Sequence, residues 1–321
     1  MIATQSISNH QTPLSNRNWS VYVRLQKVDP TNTTTLRRRF EKEMDRRFNN
    51  IIRAITTALV ERDVFGSKLQ TNVEVPGQNA FAFPTSAQKI DKFMDWIHSL
   101  VSQELLTISE YQQLGDPISK SWMNKYIEDS YNRGIQRSRQ ELKKAGYKVP
   151  SNIPEQGFGY SFGTPFHADR VGLLYSRVYN ELKGITDMMD NQISRVLTQG
   201  MIDGDGPMSM ARKLRAVIAG GGNELGITDT LGRYIPAKRR AEMLARTETI
   251  RSFHQANIQE MRNWGVAGVT VQAEWSTAGD GRVCLECSGL EGKTYTLDEI
   301  QSMIPRHPNC RCMALPTKLV K

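Results

Sequence analysis

Cysteine is scarce in this chain and unevenly placed: there are four in 321 residues, and none before position 284. Most of the chain therefore has no thiol with which to build a disulfide framework. No run of about 18 apolar residues occurs, so no membrane-spanning helix is predicted. The opening stretch, MIATQSISNHQTPLSNRNWS, lacks a basic segment followed by an apolar core, so no secretory signal is predicted either. Aromatic residues make up 8% and apolar residues 39%, with a mean hydropathy of -0.49, the profile of a soluble protein with polar bias. The length suffices for two domains with cores of their own. Acidic residues are outnumbered 33 to 42, which leaves a formal charge of +9. That excess admits a polyanionic partner such as nucleic acid; because both signs are interspersed, it equally fits a solvated basic surface.

What is present is mostly helical periodicity. Residues 1–32, rich in Ser, Thr, Asn, Gln and Pro, read as a loosely held arm, with Trp19, Val21, Val23 and Leu25 alternating as a short extended segment. A helical unit follows over 33–165. Its first helix has N-cap candidates at Thr33–Thr35 and an apolar face of Leu36, Phe40, Met44, Phe48, Ile51, Ile55 and Leu59. Further helices are predicted over 86–107 and 119–145, the latter stopped by Gly146. The Gly, Pro and aromatic-rich 149–166 stretch predicts a linker. A second helical part, 166–264, contains helices over 167–199 (ended by Gly200), 209–219 and 236–264. After 265 the texture changes. VAGVTVQAEWST and KTYTL read as short strands in a small turn-rich unit, 265–321. The predicted class is α+β, mainly α-helical: long helices with a small Cys-rich α/β C-terminal unit. No internal repeat is visible.

Two segments concentrate basic charge. Residues 36–53 include Arg37, Arg38, Arg39, Arg46 and Arg47, and residues 133–148 include Arg137, Arg139, Lys143 and Lys144. Each is either a solvated helix face or a weak, sequence-independent contact to double-stranded DNA.

The cysteines form two clips: Cys284 and Cys287 flank two residues, Cys310 and Cys312 flank one, and His307 lies three residues before Cys310. Reduced cytosolic thiols clustered in this way favour a metal over disulfides. A structural zinc takes four ligands, usually two per short segment, and the 19 residues from Ser288 to Arg306 are an ordinary insert between clips. Five donors compete for four places. The four cysteines are the favoured set, with His307 as the alternative ligand. A tail with few large apolar side chains would gain from such a staple, which in small finger peptides is worth about 10–16 kcal/mol.

Three stretches, ARTETIRSFHQANIQEMRNWGV, EWSTAGDGRVCLECSGLEGKTYT and IPRHPNCRCMALP, resemble the phage head morphogenesis family, the Mu F-like minor capsid proteins. The marks are Arg246-Thr247-Glu248 on a helix, Trp275 on a strand, Asp280 with Arg282 ahead of Cys284-x-x-Cys287, the Gly292 turn, and His307-Pro308-x-Cys310-Arg311-Cys312. The resemblance spans roughly residues 170–317. It implies a non-enzymatic minor head protein of a tailed phage. Such a protein associates with the portal inside the procapsid, sits beside major capsid or scaffold proteins, and assists packaging or delivery of the genome. Its expected places are the virion interior and, during assembly, the host cytoplasm. Glu242 and Arg246 are expected to form an i,i+4 pair on their helix; alternatively Arg246 or Glu248 holds Asp280 or Arg282, an ion pair that orients the helix on the zinc unit.

Two enzymatic readings stand beside it. HPNC resembles part of an HNH-type metal-dependent nuclease motif, but the nine residues after Cys312 contain no His, Asp or Glu to complete it. Arg246, Ser276-Thr277 and Glu299 weakly resemble an ADP-ribosyltransferase set, without the paired Glu-x-Glu turn.

Overall fold

The computed structural model describes residues 29–66, 85–106, 121–149, 165–220, 233–264 and 271–317. The expected arm segment at 19–25, the 66–84 loop and the 149–166 linker fall wholly or largely outside them. Helices account for 70% of the described residues, with eight α-helices and one three-stranded sheet.

Helix α1, Thr34–Thr56, buries the predicted stripe from Leu36 to Ile55 and runs on into a π-helical turn, Thr57–Glu61, that buries Leu59. Thr33 is its N-cap residue but makes no side-chain cap bond. Asp29 organises the entry instead, accepting hydrogen bonds from the hydroxyls of Thr31 (2.6 Å) and Thr34 (2.8 Å) and from Arg37. Helices α2 (Ser86–Leu105) and α3 (Asn124–Lys144) follow, and Gly146, at φ +97°, marks the predicted stop after α3.

Helix α4 spans Pro165–Ile202, past the stop predicted at Gly200. Gly200 serves packing: a Cβ there would lie 2.5 Å from the Met210 methyl group, so its absence lets α5 (Pro207–Ala219) approach. Helix α6, Ala237–Asn263, enters at Pro236 and is the central strut. It is buried on nearly every face, which is why its apolar residues show little one-sided periodicity.

One hydrophobic cluster runs from Leu36 to Ala256, so side chains from both sides of residue 165 share it. A second joins the end of α3 and its extension (Leu142, Tyr147, Val149) to Ile250, Ile258 and Met261 of α6 and to the C-terminal unit. In that unit β1 (Gln272–Ser276) is central, flanked antiparallel by β2 (Thr294–Thr296) and β3 (Met313–Pro316), with Ala273 opposite Tyr295 and Trp275 opposite Ala314. Helices α7 (Leu285–Ser288) and α8 (Leu297–Met303) complete it. The tail is less dependent on a staple than its composition predicts: Trp275, Ile300, Ile304 and Ala314 are buried against the helices. Neither β3 nor α8 was foreseen. Strand β3 is only four residues long and ends in proline, and α8 announces itself only by a capping box, Thr296 to Glu299.

Candidate metal centre

The two clips meet at one end of the sheet unit. The first is a turn entering α7: the Cys287 amide donates to the Cys284 sulfur at 3.4 Å, and the Ser288 amide to the Cys284 carbonyl at 2.9 Å. The second is built on His307-Pro308-Asn309-Cys310. The Cys310 amide donates to the His307 carbonyl at 3.1 Å, and Asn309 takes a left-handed φ of +65°, a conformation asparagine tolerates. Arg306 braces the clips by donating to Glu286 at 2.5 Å.

Within the centre, His307 Nε2 lies 3.3 Å from the Cys284 sulfur and 3.2 Å from the Cys287 sulfur. His307 Nδ1 is 2.8 Å from the Pro308 carbonyl, which can only accept; Nδ1 therefore carries a proton, and Nε2 is the ring nitrogen that faces the sulfurs. Cys284, Cys287 and His307 place their ligand atoms within 4.8 Å of one another, and so do Cys287, Cys310 and Cys312, with Cys287 common to both groups. Cys284 is exposed; the other three thiols are buried and none is in a disulfide.

The electrostatics are those of an uncompensated thiol cluster. Hydrogen bonds from the Cys312 thiol, and from the backbone at Cys312 and Arg306, hold the Cys310 thiol down to about 5 against the effect of burial, with His307 assisting. The Cys287 amide holds Cys284 below the ordinary thiol range, again with help from His307. Burial and the neighbouring Cys310 push Cys287 up to about 12, while the hydrogen bond to Cys310, then burial, push Cys312 up. Like charges this close cannot all form without a cation. A tetrahedral ion with bonds of about 2.3 Å to sulfur and about 2.0 Å to nitrogen implies S···N edges of roughly 3.5 Å, near the distances to His307. The donor set therefore fits zinc or a similar thiophilic ion.

Around the centre, the Arg-Thr-Glu motif of α6 is a three-way clamp rather than a bridge to the Asp280 loop. Arg246 pairs with Glu41 of α1 at 3.2 Å, not with Glu242, which pairs with Arg239. The Thr247 hydroxyl accepts from the Asn309 amide at 3.1 Å and so seats the second clip on the helix. Glu248, buried, takes Arg251 at 3.0 Å and Arg177 of α4 at 3.3 Å. The expected links from Arg246 or Glu248 to Asp280 or Arg282 are thus replaced by closer partners. Asp280 is gripped by Arg311 through two bonds of 2.6 Å and by Arg282 at 2.9 Å, which together hold its carboxyl far below the usual range. The role of Arg311 was missed, although its place between two inward-facing cysteines on extended chain turns it to the opposite side. Phe253 and Asn257 of the same helix meet the sheet: Phe253 packs on Met313 and Leu315, and Asn257 donates to the Ala314 carbonyl at 2.7 Å.

Most of the predicted DNA-contacting residues already hold carboxylates. Arg37 binds Asp29; Arg46 and Arg47 share Glu43, and Arg47 also stacks 4.2 Å over Trp122. Arg137 and Lys144 share the buried Glu141, each at 3.0 Å. Arg139 binds Glu260 at 2.7 Å within a buried chain, in which Glu260 also accepts from Trp264 and meets His167, and His167 in turn meets the Tyr131 hydroxyl. Arg38, Arg39 and Lys143 are exposed and make no ion pair among the described residues. Of the transferase-like set, Arg246 is held by Glu41 and Glu299 closes the cap of α8, while Ser276 and Thr277 are buried.

Fold and centre together define a helical body carrying a small sheet unit with a thiol–imidazole cluster. Residues 191–315 match the family model described as phage Mu protein F like protein, so this part of the chain is similar to that family. The match begins inside α4, ends in β3 and contains all five donors. No curated protein and no solved structure matches the chain. No described helix is long and apolar enough to cross a membrane.

Proposed function

We propose that the protein is a non-enzymatic minor head component of a tailed phage, docking on the portal inside the procapsid and assisting genome packaging or delivery. The observation that carries this reading is the match of residues 191–315 to the Mu F-like family. A structural rather than catalytic role is supported by the Arg-Thr-Glu clamp, whose three residues each fasten a different part of the fold. A structural zinc at the cysteine–histidine centre fixes the two clips relative to α6. Contact with packaged DNA would be weak and independent of sequence, through exposed cations such as Arg38, Arg39 and Lys143. Major capsid or scaffold proteins are further neighbours in the head, and assembly would begin in the host cytoplasm.

The test is co-expression with the portal protein of the same phage, followed by affinity capture, together with particle analysis after deletion of the gene. The expected result is a portal complex that survives purification, with this chain found inside wild-type heads and infectious, DNA-filled particles reduced without it. Failure to bind the portal, combined with absence from purified heads, would overturn the reading.

A further inference from the structure

We propose that the ion is held by Cys284, Cys287, His307 and Cys310, a three-sulfur, one-nitrogen set, and that Cys312 stays outside it. The inference rests on the zinc reading above and changes its ligand list: the histidine enters and one of the four cysteines leaves.

Three observations carry it. First, His307 is oriented as a ligand. Its Nδ1 is tied to the Pro308 carbonyl at 2.8 Å, and Nε2 lies 3.3 and 3.2 Å from the Cys284 and Cys287 sulfurs. A carbonyl behind one ring nitrogen is the usual way a metal-binding histidine is fixed. Second, the two clips then have the same spacing. Cys284-x-x-Cys287 and His307-x-x-Cys310 each put two residues between donors, and each is closed by a backbone turn. His307 and Cys310 therefore form one rigid unit, joined through the Cys310 amide and seated on Thr247. Third, Cys312 belongs to the sheet side. The next residue, Met313, is already in register with Ser276 of β1, so Cys312 stands where the clip gives way to the strand. Its sulfur still lies within 4.8 Å of the Cys287 and Cys310 sulfurs, close enough to neighbour the ligands without being one.

The experiment uses the full-length protein, purified without metal and loaded with Co(II) or Zn(II) alone. Thiolate-to-cobalt charge-transfer intensity counts sulfur ligands, and chelator competition gives relative affinity. The wild type is expected to bind one ion with the intensity of three thiolates. Cys312→Ser should leave the spectrum unchanged and affinity within about tenfold. His307→Ala and Cys310→Ser should weaken binding beyond the roughly 10–100-fold that follows loss of a residue that merely orients a ligand. His307→Cys guards against variants that fail to fold, since it should still bind and should gain the intensity of a fourth thiolate. Loss of one thiolate's intensity in Cys312→Ser, with a wild-type spectrum in His307→Ala, would overturn the assignment in favour of four cysteines. Absence of any binding by the wild type would overturn both the ligand set and the zinc reading, while leaving portal association to its own test.

Discussion

Gly134 of α3 lies so close to Phe253 of α6 that a Cβ on the glycine would sit 2.3 Å from the phenylalanine carbonyl oxygen and 2.7 Å from the Ala256 Cβ. Ser130 and Ser138, four residues to either side, donate to the carbonyls of Thr249 (2.5 Å) and Asn257 (3.1 Å), and Ser252 returns a bond to Ile127 at 2.8 Å. Small residues at spacings of four let two backbones approach, and hydroxyls satisfy carbonyls along the seam. This contact joins a helix outside the Mu F-like match to the central helix within it.

The seam reverses the usual sign of a helix substitution. Replacing glycine by alanine inside a helix ordinarily stabilises by roughly 0.5–1 kcal/mol. Gly184→Ala on the exposed face of α4, where an added methyl meets nothing within 4 Å, should do so. Gly134→Ala should instead destabilise by about 2 kcal/mol or more, since the clash is with backbone and cannot be relieved by one rotamer. Urea unfolding of both variants checks the pair; stabilisation by Gly134→Ala would contradict the close crossing.

The Asp280–Arg311 pair should matter at neutral pH and fade in acid. A carboxyl whose folded value is depressed adds stability that is complete above its unfolded value of about 3.9 and is lost as pH falls below it. Asp280→Ala is therefore expected to lower the unfolding free energy at pH 7, by about 1–3 kcal/mol for a charge-assisted pair, and to lower it less at pH 3. Equal effects at both pH values would show that the loss is one of packing and not of charge.

Much of the helical frame was legible in the sequence because each long helix except α6 presents one apolar stripe, as α1 does from Leu36 to Ile55. The clips were legible because ligand spacing is local. Arg139 shows what was not. In sequence it is one cation in a basic run; in the fold it serves Glu260, 121 residues away. Long-range pairing of charges leaves no periodic trace, so a basic segment looks free until its carboxylates are placed. Gly134 with Ser130 and Ser138 did leave a trace, a small-residue stripe on α3, but basic charge in the same helix drew the reading elsewhere.

Asp190 carries the opposite dependence from Asp280. Burial between α2 and α4 pushes its carboxyl up to about 6, only partly offset by His98 at 3.5 Å. A raised carboxyl value means that ionisation costs stability: the cost is full above about 6 and absent below the unfolded value near 4. Asp190→Asn should stabilise by about 1–2 kcal/mol at pH 7.5, after allowance for partial solvent screening, and be neutral at pH 3.5. Thermal melts across that range decide it; a destabilised variant at pH 7.5 would mean that the His98 contact outweighs desolvation.

Metal removal should loosen the clips and spare the sheet. Trp275 is fully buried, and it shares its cluster with Ile250, Ile258 and Met261 of α6, none of which depends on an ion. Truncating a buried indole of this kind typically costs about 3–5 kcal/mol, and Asn257 adds its bond to the Ala314 carbonyl. By contrast, the clip segments 284–292 and 305–312 hold exposed Cys284 and a 93%-exposed Leu285, and they meet α6 through the Asn309–Thr247 bond and the buried Cys287, Cys310 and Cys312 side chains. Their order should therefore come largely from the ion. Hydrogen exchange with and without chelator should show protection lost in those two segments, while the amides of β1 paired to β3 keep theirs. Cys287→Ser, which removes the sulfur common to both donor groups, should reproduce the chelated pattern. Loss of protection across β1 would show instead that the ion holds the whole sheet unit, and unchanged protection at 284–292 would show that the clips stand without it.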